Sequence, residues 1–125
     1  MGIWITMLLT GLLIPALMLI FGAWSKKGGP KQINPIFGYR TAMSMKNEDT
    51  WAFAHREIGR LWTKWGLITA AAVIVLMLPL IGRGEEAIGT AGTFICLLEL
   101  VPLIGCIVPV ENALNRTFDK DGNRK

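Results

Sequence analysis

Histidine and cysteine are scarce in this chain, and each shortage removes a class of function. There is a single histidine, His55. One imidazole gives a histidine-based metal site or a catalytic triad little to work with. The two cysteines, Cys96 and Cys106, fall inside one apolar run, with no metal-ligand spacing and no disulfide framework. No nucleophile–base pair or metal cluster appears, so an enzyme is the weakest candidate and no catalytic residue, metal ligand or cofactor is assigned. The opening MGIWIT carries no charged side chain, which argues against a secretory leader, since that would begin with a basic segment.

Apolar residues are what the chain has in excess. It is 52% hydrophobic with a mean hydropathy of +0.45, too apolar for an ordinary soluble domain of 125 residues. Three runs are long enough to cross a bilayer, for which roughly 20 residues are needed. The pattern predicts an all-α integral membrane protein of one domain with three transmembrane helices, spanning about 3–23, 62–82 and 87–110. A loop over 24–61 and a tail over 111–125 lie between and after them. Trp4 and Trp24 bracket the first span at the spacing of aromatic belts. Pro15 is tolerable within it if Thr10 or a neighbouring helix satisfies the freed carbonyl.

Between the first two spans the sequence changes character. SKKGGPK is a flexible basic linker, and NPIFGYRTAMSMKNEDTW follows it. Asn34-Pro35 favours an extended or turn conformation. Gly38 permits a backbone geometry closed to other residues. Tyr39, Arg40 and Thr41 set a phenol, a guanidinium fork and a hydroxyl side by side, with Ser44 close behind. Asn47 reads as a helix N-cap, with Glu48 and Asp49 in the first turn, where the helix dipole favours acids. Glu48 or Asp49 is a candidate partner for Arg40, as are Glu111 and Asp119 in the tail.

From Asn47 onward, Trp51, His55, Ile58, Trp62 and Trp65 recur at i, i+4, i+7, i+11 and i+14, on one helix face. Arg56, Arg60 and Lys64 make a basic row elsewhere on it. This predicts a cytoplasmic amphipathic helix leading into the second span, its aromatic side in the acyl boundary and its basic side toward anionic headgroups. Phe53 falls on the polar side, either packed on the Tyr39-Arg40 segment or exposed. His55 lies on the apolar face as a buried, hydrogen-bonded imidazole, with a pH sensor as the competing reading.

Glu99 sits near the middle of the third run, and no basic residue lies within a span at matching depth. A carboxyl there is expected to be neutral or reached by water. Gly92, Cys96, Glu99, Leu103 and Cys106 share a face of mostly small residues, the kind that lets helices approach closely. Glu99 is therefore either a proton or ligand site, or an acid bonded to a threonine hydroxyl or to a carbonyl freed by Pro102.

Charge distribution predicts orientation. Eight basic residues lie from Lys26 to Lys64 and four more in the tail, against Arg83 alone in the turn between the second and third spans. Lysine- and arginine-rich short loops stay in the cytoplasm, which places the N-terminus outside and both loop and C-terminus inside a bacterial plasma membrane. The tail is a short helix and a charged end with a Gly122 stop; Asp119-Lys120-Asp121-Gly122 lacks the further oxygen ligands of a calcium loop.

The loop residues Asn34, Gly38, Tyr39, Arg40, Thr41, Ser44, Met45, Lys46, Trp51 and His55 resemble the signature of the SdpI family of bacterial membrane immunity proteins. The tail, with Pro109, Glu111, Ala113, Leu114, Phe118, Asp119, Gly122 and Arg124, is similar to the end of that family's domain. The resemblance runs from about Pro15 to the C-terminus. It implies an integral membrane protein that protects a cell from a secreted peptide toxin and relays toxin binding to a cytoplasmic regulator. Larger members carry further membrane helices before this domain. The expected partners are the lipid bilayer, a peptide toxin and a cytoplasmic regulator, with no direct nucleic-acid binding. A small transporter or proton-coupled subunit using Glu99 is the alternative, and a structural subunit of a membrane complex is a third.

Overall fold

The computed structural model describes residues 2–27, 29–31, 33, 36 and 38–125. Asn34 and Pro35, singled out in the loop, lie outside the described residues. Among the described residues four α-helices follow one another: α1 (Gly2–Ser25), α2 (Glu48–Met77), α3 (Glu85–Gly105) and α4 (Ile107–Thr117). A 3-10 turn, Leu78–Leu80, extends α2, and α3 and α4 meet at Cys106. The described residues form no β-strand beyond one bridge, Phe118 to Arg124. Among the described residues three helical lengths, Gly2–Ser25, Glu48–Leu80 and Glu85–Thr117, are long and apolar enough to span a membrane.

Packing in α1 inverts the habit of a soluble helix. Its buried stripe is Gly11, Pro15, Met18, Gly22 and Ser25, while Leu9, Leu13, Leu17 and Ile20 stand exposed. Small residues inside and large apolar ones outside suit a helix whose solvent is lipid, where close backbone approach drives association. The approach is closest where α1 crosses α2. A Cβ at Gly59 would lie 2.5 Å from the Lys26 amide nitrogen and 2.8 Å from the Gly22 carbonyl. On α3, Gly92 makes room for Met7. The helix runs through Pro15 without a break. Thr10 does not serve the carbonyl that Pro15 frees: its hydroxyl donates to Thr6 O at 2.7 Å.

Two tryptophans donate to backbone carbonyls near helix ends. Trp4 Nε1 donates to Met77 O at 2.8 Å, tying the start of α1 to the end of α2. Trp62 Nε1 donates to Leu103 O at 3.3 Å, beside the interruption at Cys106. Pro102, which has no N–H, sits within α3 just before that interruption. One apolar cluster, around Val73, Met77 and Ile95, fills the end of the bundle near Trp4. A second joins Tyr39, Ala54, Ile58, Cys106, Val110, Leu114 and Phe118, and brings loop, helix and tail together.

The amphipathic segment and the second span are one unbroken helix of 30 residues. The first part of its aromatic face is covered by the protein rather than by an acyl boundary. Trp51 is 2% exposed and His55 fully buried, whereas Trp65, farther along, is 39% exposed.

A loop and tail fastened to the start of the second helix

The first turn of α2 is the anchor. Asn47 caps it: Oδ1 accepts the Thr50 N–H at 2.9 Å, and Thr50 Oγ1 accepts the Asn47 N–H at 3.0 Å. This reciprocal pair satisfies two donors at the helix start. Thr50, fully buried, also places its hydroxyl 3.0 Å from Ser44 O and so binds the preceding turn.

One turn further on, His55 holds the loop. Nδ1 lies 2.8 Å from Trp51 O, and the Tyr39 backbone N–H donates to Nε2 at 2.9 Å. A carbonyl can only accept and an amide N–H can only donate, so the proton sits on Nδ1 and the ring is neutral. Burial lowers the His55 pKa, while the hydrogen bond to the Trp51 carbonyl works the other way. Two glycines clasp the ring. Gly29 and Gly38 have φ of 69° and 107°, and a Cβ on either would fall 2.2 Å from His55 Cδ2 or 2.6 Å from Nε2. Left-handed φ and lack of space therefore both demand glycine there. Trp51 completes the clasp by donating Nε1–H to Pro30 O at 2.9 Å, its ring centroid 4.4 Å from that of His55.

Ser44 shapes the turn that carries Tyr39, Arg40 and Thr41. Its Oγ accepts the Thr41 N–H at 2.8 Å and faces the Tyr39 and Thr41 carbonyls, each at 3.0 Å. Thr41 Oγ1 accepts the Ser44 N–H at 3.2 Å in return. The Tyr39 ring is buried. Its hydroxyl lies by the Glu111 carboxylate of α4, short of hydrogen-bonding geometry. Tyr39 Oη and Glu111 Oε2 are both buried without a partner among the described residues. Burial first, and the adjacent Glu111 charge second, hold the phenol well above its usual pKa. Arg40 turns outward and is exposed.

The tail folds back onto the same helix start. Asp119 Oδ1 accepts the N–H groups of Asp121 and Asn123 at 2.9 and 3.0 Å, shaping a tight turn. Gly122, with φ of 85°, presents its carbonyl to Asn47 Nδ2 at 2.7 Å. Arg124 then reaches Asp49 with two parallel bonds, Nε to Oδ2 at 2.8 Å and Nη2 to Oδ1 at 2.9 Å. That bidentate contact holds the Asp49 carboxyl below its usual pKa. Phe118, 1% exposed, meets Phe53 edge-on at 5.3 Å and carries the Arg124 guanidinium 5.0 Å above its ring.

Several expectations are thereby placed. Gly38, Tyr39, Thr41, Ser44, Trp51, Glu111, Phe118 and Gly122 converge on one end of the bundle. Asp49 pairs with Arg124 rather than Arg40, and Phe53 meets Phe118 within the cluster that also holds Tyr39. His55 as the centre of the loop was only half visible: apolar-face spacing shows burial, not a long-range acceptor for Tyr39. Asn47 was readable as a cap, but not as the clasp of the tail.

Glu99 stands apart from this cluster. It is 3% exposed, and both carboxyl oxygens lack a hydrogen-bond partner among the described residues. A Cβ on Gly11 of α1 would lie 3.6 Å from Oε1, so the carboxyl faces the helix interface. Neither a threonine hydroxyl nor the carbonyl freed by Pro102 takes it up. Beside it, α2 and α3 enclose an apolar groove of about 440 Å³.

Comparison with known proteins bears on the loop directly. Residues 31–110 match the model of the SdpI/YfhL protein family. The chain is 32% identical over 100 residues to the uncharacterized protein YfhL of Bacillus subtilis (strain 168), covering 80% of this chain and 77% of that one. No solved structure matches. The match spans the 38–44 turn, the whole of α2 and the Glu99 helix, and the chain belongs to the SdpI/YfhL protein family.

Proposed function

We propose that this is an SdpI-type immunity protein of the cell membrane, working by binding rather than by catalysis. A secreted peptide toxin is met within or outside the bilayer. The cytoplasmic end, built from the loop, the start of α2 and the tail, is the surface offered to an internal regulator. The observation that carries this reading is the fastening of the 38–44 turn. A tether has no need of a buried imidazole acceptor, two clasping glycines and a tail hairpin locked to the same helix start. What the clasp presents outward is Arg40, whose planar fork of donors suits a carboxylate or phosphate.

The test is protection of cells challenged with the cognate toxin. Arg40→Lys, which substitutes a point charge for the fork, should reduce protection at normal membrane levels. Arg56→Lys, on the exposed basic row of α2, should leave protection unchanged. Equal tolerance of both would sink the assignment of the loop. In this reading the N-terminus is outside and the C-terminus inside. A cysteine at Lys31 should therefore escape an impermeant thiol reagent added to intact cells.

Glu99 favours a second reading, a small proton-coupled transporter. A buried carboxyl without a partner in a membrane helix is a functional site by default. Protection that survives Glu99→Gln separates immunity from this alternative.

A further inference from the structure

Where α3 stops at Gly105 and α4 restarts at Ile107, the bundle leaves a groove of about 650 Å³ against the second half of α1. Leu17, Phe21 and Trp24 form one wall, Leu103 and Ile107 the other, and Trp62 lies between. The walls run along about two turns of α1, roughly 10 Å. They are open enough that Leu17 is 55% and Trp24 43% exposed. The 38–41 segment lines the groove as well and brings Arg40 and Thr41 to its apolar walls. Lys26 and Lys27, both exposed, follow Trp24 by two and three residues and bring positive charge near that wall.

Apolar walls beside a guanidinium are complementary to an amphiphile with an anionic head. The tryptophans Trp24 and Trp62 mark the depth at which such a head sits, because indole prefers the membrane–water interface. A free phosphate would use the cation and leave the walls unmatched. A zwitterionic headgroup would bring its ammonium against Lys26 and Lys27. We propose that this groove is a binding site for an anionic glycerophospholipid of the leaflet that the loop faces. One acyl chain lies along Leu17, Phe21 and Ile107, and the phosphate is taken by the Arg40 fork. Arg40 is then a lipid-recognition residue, and the His55 clasp acts through it by holding the 38–41 turn at the groove. Lipid retention is a property of the purified chain, so its failure and the failure of the immunity reading are distinguishable.

The experiment is native mass spectrometry of the full chain in detergent, titrated with dioleoyl phosphatidylglycerol, dioleoyl phosphatidylcholine or inorganic phosphate. One phosphatidylglycerol per chain should be retained about tenfold more tightly than phosphatidylcholine, the scale of one charge-assisted contact. Arg40→Gln should abolish that preference, and Arg40→Lys should weaken it. Ile107→Trp, which fills the groove, should weaken both lipids while leaving Arg40 in place. Arg56→Gln should change nothing. Equal retention of the two lipids, or a phosphatidylglycerol preference indifferent to both Arg40→Gln and Ile107→Trp, overturns the site. So does inorganic phosphate that displaces the lipid at comparable concentration, which would make it a free-anion site.

Discussion

The Tyr39 backbone N–H donates to His55 Nε2 at 2.9 Å, across 16 residues of chain, and this bond fixes both the tautomer of the ring and the position of the loop. Protonating Nε2 would set two N–H donors against each other in a buried site, where neither has another partner among the described residues. The sign follows from the lowered pKa of His55. An unfolded or unclasped chain returns the imidazole to its ordinary value of 6.5 and binds the proton more readily. Stability is therefore full above that value and falls as pH drops through it toward the depressed folded value. Asp49, whose pKa is also lowered by its Arg124 bond, loses its contribution only at much lower pH, below its ordinary 3.8. Thermal unfolding in detergent, from about pH 7.5 to about pH 5, should show a declining midpoint. His55→Ala should cost about 2–4 kcal/mol through the cavity and the orphaned amide, and should flatten the decline. An undiminished slope in that variant would assign the titration to another group.

Gly59 is expected to tolerate no side chain. Its Cβ would meet backbone atoms of Lys26 and Gly22, which cannot turn aside as a flexible side chain can. Gly59→Ala should destabilise by about 1–3 kcal/mol or more. Gly89, where a Cβ would find only Ile3 Cδ1 at 4.0 Å, is the control. There alanine should be neutral or stabilise by up to about 1 kcal/mol through helix propensity. The comparison needs only the two thermal midpoints.

At the tail, two contacts of similar appearance should differ in weight. The Asp49–Arg124 pair is bidentate but solvent-exposed, with side chains 46% and 52% accessible, so Asp49→Asn should change stability little. Asn47 caps α2 and also holds Gly122, and Asn47→Ala should cost about 1–2 kcal/mol. Hydrogen exchange distinguishes the two. The Phe118 and Lys125 amides, which bond Leu114 O and Thr117 O, should lose protection in Asn47→Ala and keep most of it in Asp49→Asn.

These contrasts bear on how far the sequence discloses the structure. The three spans were readable because hydropathy over about 20 residues is a property of composition, not of neighbours. The cap at Asn47 was readable because its partner lies three residues away. Long-range partners were not. Asp49 precedes Arg124 by 75 residues, and nothing local distinguishes Arg124 from Arg40 as its partner. The aromatic face of α2 was visible as a face, yet periodicity does not say whether lipid or protein covers it. Small residues share the side of Glu99, and the residue is buried where α1 approaches at Gly11. The partner expected for it, a hydroxyl or a freed carbonyl, is absent among the described residues.

Glu99 supplies the sharpest remaining contrast. Its carboxyl is enclosed where α1 comes close at Gly11, and both oxygens lack partners among the described residues. Glutamine has nearly the same shape, carries no charge and reproduces the hydrogen-bonding capacity of a protonated acid. Glu99→Gln should therefore insert and fold as the parent does. Lysine brings a charge into the same depth, where the insertion cost is about 2.5–3.5 kcal/mol. Glu99→Lys should lower both the level in the membrane and the thermal midpoint. Gly11→Ala adds an independent check on the geometry. A methyl there would stand 3.1 Å from Val73 Cγ1 and 3.6 Å from Oε1, so it should destabilise mildly and by a similar amount in the Glu99→Gln background. If glutamine proves as damaging as lysine, the carboxylate is charged and paired, and Glu99 belongs to an ion pair formed with a partner chain or ligand.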